Sequence, residues 1–185
     1  MQANDMIERG VRHAVEAPAT KAEIWLSVLH LVDEFRHEIE QQRGWENLWV
    51  SGEERRDERA VQVSFNTIVR PLARQLGIAM QREVETGRGP VDFEFGNGVA
   101  ARVHVEFKLA DHHHLMHGIE HQLPAYMRAE NADSALFICV GFDDEDRRAF
   151  ERVVAGAQTM QRENPDIFLR AEYIDAQRRS GASRH

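Results

Sequence analysis

The chain has 185 residues, 42% of them hydrophobic and 29% charged, enough to bury one ordinary core and short for two. No apolar run approaches the roughly 20 residues a membrane span needs, and the N-terminus, with Asp5, Glu8 and Arg9, lacks a signal-peptide layout, so a cytoplasmic protein without membrane contact is expected. The single cysteine, Cys139, excludes a disulfide framework, and a formal net charge of −8 argues against non-specific coating of nucleic acid while leaving room for a local basic surface.

Helical spacing of apolar residues runs over 6 to 16 and again over 21 to 42, where Ile24, Leu26, Leu29, Leu31, Val32 and Phe35 spread around a broad face. A stripe that wide predicts burial against the domain or a second copy, so a homodimer through these helices is an expectation. Gly44 to Gly52 breaks the pattern and reads as a connector anchored by Trp45 and Trp49. From Glu53 the periodicity returns: Val61, Phe65, Ile68, Val69, Leu72 and Leu76 make one helical face that stops at Gly77. Strand patterns follow at 78 to 84, 91 to 95, 102 to 109 and 135 to 142, with a fifth at 167 to 174. Helical patterns at 114 to 129 and 144 to 160 flank the fourth strand. The division is an N-terminal helical extension, 1–50, and an α/β domain, 51–185, in which successive strands imply hairpins and the later helices imply crossovers.

Arg102 to Leu109 alternates fully, with Arg102, His104, Glu106 and Lys108 on one face and apolar residues on the other; Val91 to Phe95 alternates too, placing Asp92 and Glu94 on its polar face. The polar rows read as charged, the opposite rows as core. Register decides whether the rows meet. A two-residue turn at Asn97-Gly98 would pair Asp92 with Val103 and split the rows across the sheet. A loop with an odd number of residues centred on Val99 sets Asp92 opposite Glu106, with Cβ atoms roughly 4.5 to 5.5 Å apart. Opposed carboxylates on neighbouring strands are destabilising unless a cation neutralises them, which points to Mg²⁺ or Mn²⁺. Of the two lysines in the chain, Lys21 and Lys108, one stands in this row. There a compact ammonium and a guanidinium are not interchangeable.

Pro90-Val91-Asp92 followed after a hairpin by Glu106-Phe107-Lys108 resembles the PD-(D/E)XK signature of restriction-endonuclease-like nucleases. The resemblance implies a core of helix, three antiparallel strands, helix and strand, over about residues 53 to 142, with extra N-terminal helices. It implies cleavage of phosphodiester bonds, with DNA favoured and RNA left open, and with Mg²⁺ or Mn²⁺ held by Asp92, Glu106 and the Phe107 carbonyl. Lys108 would serve the attacking water. Gln122 and Tyr126 resemble the Q-x-x-x-Y element of RecB-like nucleases, although Pro124 lies between them. An acidic residue on the first core helix often completes such sites; Glu58 is the choice, with Glu54 and Asp57 as competitors. A wider likeness, from Glu83 through Gly87-Arg88-Gly89 to Asp175-Ala176, is to nuclease-like domains at the C-terminal ends of larger bacterial proteins, several concerned with defence against foreign DNA. That likeness implies an effector within a larger chain or complex.

Arg55, Arg59, Arg88 and Arg102 are candidate phosphate contacts, which position a strand without reading its sequence. Asp111-His112-His113-His114 with His117 and His121 has spacing that can chelate zinc. Two alternatives therefore stand beside the nuclease: an inactive binding or assembly module of the same fold, and a histidine-centred zinc hydrolase.

Overall fold

A computed structural model describes residues 17–18, 20–50, 54–85, 90–97, 101–112, 115–119, 134–165 and 167–179. The expected helix at 6 to 16 lies outside them. Helix α1, Lys21–Gln41, opens with a capping box: the Thr20 hydroxyl accepts from Glu23 N–H and the Glu23 carboxylate accepts from Thr20 N–H. Its buried side is Ile24, Val28, Leu31, Val32, Phe35 and Ile39, while Leu26 points outward. A short 3₁₀ helix, Gly44–Leu48, buries Trp45 and Leu48, and the Trp49 indole donates to the Ala176 carbonyl, so the connector is pinned by its aromatics. Helix α2, Glu58–Gln75, is capped by Asp57, whose side chain accepts from Ala60 N–H. It ends at Gly77, whose φ of 69° is the left-handed turn that glycine supplies without strain.

The remaining elements are β1 (Ala79–Glu85), β2 (Pro90–Gly96), β3 (Arg102–Leu109), a short helical turn α3 (Leu115–His117), β4 (Ser134–Gly141), α4 (Asp144–Glu163) and β5 (Phe168–Asp175). The strands form one mixed sheet in sequence order. β1, β2 and β3 run antiparallel, whereas β4 and β5 join parallel to β3 through crossovers. The domain is α/β. Among the described residues no helix is long and apolar enough to cross a membrane.

Cross-strand partners share a face, so the pairing sorts every side chain. One face carries Phe93, Phe95, Val103, Val105 and Phe107 under α1 and α2, with Phe65 at the centre of the aromatic cluster: its ring lies 4.9 Å from Phe107 and 5.0 Å from Phe93. Each such burial stabilises by about 1.5–3 kcal/mol. α1 belongs to this core, since Phe35 meets both Phe65 and Phe107 edge-on. The other face carries Ala135, Phe137 and Cys139 beneath α3 and α4. The polar row of β3 lies on that second face and is not a solvated row of charges: His104 is fully buried and Glu106 is 4% exposed. Alternation identifies a face, but not what covers it.

Candidate active site

The β2–β3 register pairs Gly96 with Arg102, Phe95 with Val103, Glu94 with His104 and Phe93 with Val105. This is the odd-loop register, and one further step along it sets Asp92 against Glu106. Past Phe93 the Asp92 carboxylate itself reaches over to β3, where Oδ2 accepts the main-chain N–H of Phe107 at 2.7 Å. Its other oxygen accepts from the Gln62 side chain at 2.8 Å. β1 deviates beside the same point: Glu83, whose register position faces Asp92, adopts a φ of 52° and turns its carboxylate outward beside Arg82. Glu83 is thereby directed away from the site.

Helix α2 brings two side chains to the carboxylates from one turn. Glu58 and Gln62 stand four residues apart and so share a helix face. Glu58 Oε2 accepts from Leu109 N–H at 3.3 Å, and its Oε1 lies 3.2 Å from the Lys108 ammonium. Of the competitors, Asp57 is spent on the helix cap and Glu54 is exposed. Gln62 is a neighbour of Asp92 that sequence reasoning noted only for its helical spacing with Glu58 and did not place in the site.

Lys108 is the hub of the cluster. Its Nζ is 2.9 Å from Glu106 Oε1, 3.2 Å from Glu58 Oε1 and 3.0 Å from the Phe107 carbonyl. Burial alone would push the lysine down, but Glu106, Glu58 and Asp92 outweigh it and hold the ammonium above its ordinary pKa. The carboxylates respond in the opposite sense. Burial first, and then Glu106, push Asp92 up to about 7 against the opposing pull of Phe107 N–H and Lys108. Glu106 is raised as well, chiefly by burial, with Lys108 pulling it back. One ammonium serves three carboxylates. In addition, Glu106 Oε2 is buried without a hydrogen-bond partner among the described residues, a costly arrangement for a polar acceptor.

These donors are hard oxygens: two acidic side chains and a main-chain carbonyl. They suit a small divalent cation that retains several waters and takes one or two carboxylates from the protein. They do not form an all-protein cage, and among the described residues no three His, Cys, Asp or Glu side chains cluster at metal-holding spacing. Lys108 now contacts Glu106 Oε1 and the Phe107 carbonyl, so a cation there has to share or take over those oxygens.

The other predicted residues distribute unevenly. Arg55 is bound to Asp111, stands 3.9 Å from Asp146 and lies over the Phe142 ring, so its guanidinium is already engaged. Arg59 is exposed on the first turn of α2. Arg102 lies at the start of β3, the opposite end from Lys108, with its guanidinium 3.7 Å from Glu94. Glu94 in turn contacts the buried His104 at 3.1 Å. His117 is exposed and His112 half-buried. Arg88, Gln122 and Tyr126, as well as His113, His114 and His121, fall outside the described residues. Cys139 is buried, with its thiol pushed up to about 12 by that burial, which leaves it inert as a nucleophile.

Fold and cluster together define a mixed-sheet α/β domain with a buried carboxylate–lysine centre where β2 parts from β3. The chain belongs to a family described as a domain of unknown function, DUF8371, whose model matches residues 25–144. That span contains α2, all three antiparallel strands and every member of the cluster. No curated protein and no solved structure matches the chain.

Proposed function

We propose that this domain is a divalent-cation-dependent nuclease of the restriction-endonuclease-like kind, cleaving phosphodiester bonds, with DNA as the preferred substrate. The observation that carries the reading is the convergence of Asp92 and Glu106 across the β2–β3 hairpin, with a buried Glu106 oxygen left without a partner among the described residues. The order of α2, three antiparallel strands, a helical turn and a parallel β4 supports it.

Asp92, Glu106 and the Phe107 carbonyl would hold Mg²⁺ or Mn²⁺, which when bound acidifies water and offsets charge developing on phosphate. The chain's own residues supply the rest. Gln62 and Phe107 N–H each take one oxygen of Asp92 and fix its orientation. Glu58 holds the Lys108 ammonium at the mouth of the cluster, from which it can contact a phosphate oxygen or the attacking water. The likeness to domains of larger bacterial defence proteins supports an effector role within a longer chain or complex. The test is incubation of the purified chain with circular and linear DNA, and with RNA, in Mg²⁺, Mn²⁺ or EDTA, beside Lys108→Ala. Cation-dependent cutting by the wild type alone supports the reading.

A second reading has its own observation. Lys108 already closes on Glu58, Glu106 and the Phe107 carbonyl, as it would in a purely structural ion cluster of a non-catalytic module. In that case neither cation alters stability and no nucleic acid is cut.

A further inference from the structure

A cleft of about 850 Å³ opens at the carboxyl ends of β3 and β4, the position where open α/β sheets place ligands. No side chain of the carboxylate–lysine cluster lines it, but Ala110 in its wall lies two residues after Lys108. Ala110 and Asp111, which follow Lys108 and Leu109 out of β3, form one wall; Phe142 and Ala149 form another. Arg55, three residues before Glu58 and bridged to Trp49, lines the cleft from the segment that leads into α2. Its volume is that of a pocket for a whole small ligand rather than for a single ion.

The lining specifies the ligand's chemistry. Trp49 and Phe142 meet edge-to-face at 5.4 Å, and each ring carries a guanidinium over its face, Arg178 on Trp49 and Arg55 on Phe142. Aromatic rings and guanidinium planes are surfaces on which unstacked bases stack. Arg152 adds a third cation. Against these stand Asp111, Asp143, Glu145 and Asp146, so the cleft is not a cationic groove. A bare phosphate, or a duplex backbone held by charge alone, matches it poorly, because the acidic first turn of α4 offsets the pull of that helix's N-terminus. A nucleotide matches: with Asp111, Asp143 and Asp146 bound within the protein, exposed Glu145 can accept from the amino edge of a base, the outer face of a ring–guanidinium layer can stack its face, and exposed Arg152 can take its phosphate.

We propose that this cleft seats one unstacked nucleotide, adjacent to the phosphodiester at the Asp92–Glu106 cluster, and so selects single-stranded over duplex nucleic acid. The proposal rests on the nuclease reading for the origin of that strand. The same chemistry also fits a free nucleoside monophosphate, and the experiment separates the two sources.

The test is fluorescence anisotropy of the full chain in EDTA, with a labelled short single strand, the matching duplex, and a nucleoside 5′-monophosphate as competitor. Ala149→Trp fills the cleft without removing a polar group, and Arg152→Ala removes an exposed cation; circular dichroism verifies that each variant is folded. Expected are tighter binding of the single strand than of the duplex and a loss of about tenfold in each variant. The monophosphate should displace the strand from the cleft; a monophosphate that binds as tightly as the strand assigns a free nucleotide, a strand that binds more tightly than the monophosphate assigns the polymer, and strand binding that resists a saturating monophosphate overturns the proposal. Wild-type affinity in both folded variants, or equal binding of duplex and single strand, overturns the proposal. Strand binding that is lost in the variants, from a chain that cuts nothing in Mg²⁺ or Mn²⁺, upholds the cleft and defeats only the nuclease reading.

Discussion

The Asp92 carboxylate takes the main-chain N–H of Phe107 at 2.7 Å, replacing a ladder bond with a side-chain bond at the point where β2 and β3 separate. The strand opening at the proposed cation site is thus held by the residue proposed to bind the ion. Asp92→Ala should remove a metal ligand and leave Phe107 N–H without its acceptor, abolishing cleavage and costing about 1–3 kcal/mol of stability in EDTA. Urea unfolding checks the second effect independently of activity.

Asp92 also sets a pH dependence. Its pKa stands near 7 in the fold, against 3.8 for the ordinary side chain, so protonation favours the folded chain. The contribution is fully present below the unfolded value and is lost as pH rises through about 7. Relative to Asp92→Asn, the wild type in EDTA should lose stability across that window, by no more than about 1.4 kcal/mol per pH unit. Mg²⁺ requires the ionised carboxylate, so cation affinity should rise over the same window with release of a proton. Equal slopes for wild type and Asp92→Asn would remove this account of Asp92.

Lys108 and a bound cation draw on the same oxygens, and this has a consequence for affinity. Lys108→Met leaves Glu58, Asp92 and Glu106 facing one another, and removing one member of a buried ion pair costs about 3–5 kcal/mol. In EDTA the variant should be destabilised by that order, and saturating Mg²⁺ should recover part of the loss. Titration calorimetry should show Mg²⁺ binding at least as tight as in the wild type, while cleavage is lost. Lys108→Arg should rescue poorly, because a planar guanidinium is larger than the compact ammonium that reaches Glu58, Glu106 and the Phe107 carbonyl together. Cation-independent stability of Lys108→Met would favour the structural reading of the cluster.

Gln62 positions Asp92 from α2 through a single hydrogen bond. Gln62→Ala should weaken Mg²⁺ binding several-fold, in line with about 1 kcal/mol for such a bond, while folding stability in EDTA changes little. Phe65→Ala tests the packing instead. Phe65 is fully buried against Phe35, Phe93, Phe95 and Phe107, and its truncation should cost about 3–5 kcal/mol by urea unfolding.

Local pattern carried much of this arrangement. The alternation of Arg102 to Leu109 coincides with β3, Gly77 ends α2, and the clash of polar rows in a two-residue turn singled out the register that sets Asp92 towards Glu106. Long-range facts were not legible. The engagement of Arg55 by Asp111 joins residues 56 positions apart, and no local periodicity encodes it. The burial of His104 and Glu106 is a tertiary fact, whereas alternation shows only that the face is polar. Likewise the breadth of the apolar stripe on α1 did not say whether it met the sheet or a second copy; Phe35 against Phe65 and Phe107 answers for its buried side.

The most direct measurement of the central claim is conversion of supercoiled circular DNA by the purified chain in Mg²⁺, run beside Glu106→Gln, which keeps the size of the side chain and removes its charge. Open-circular or linear product is expected from the wild type, none in EDTA and none from Glu106→Gln. Equal product from Glu106→Gln, or from the wild type in EDTA, would contradict a cation site built on Asp92 and Glu106.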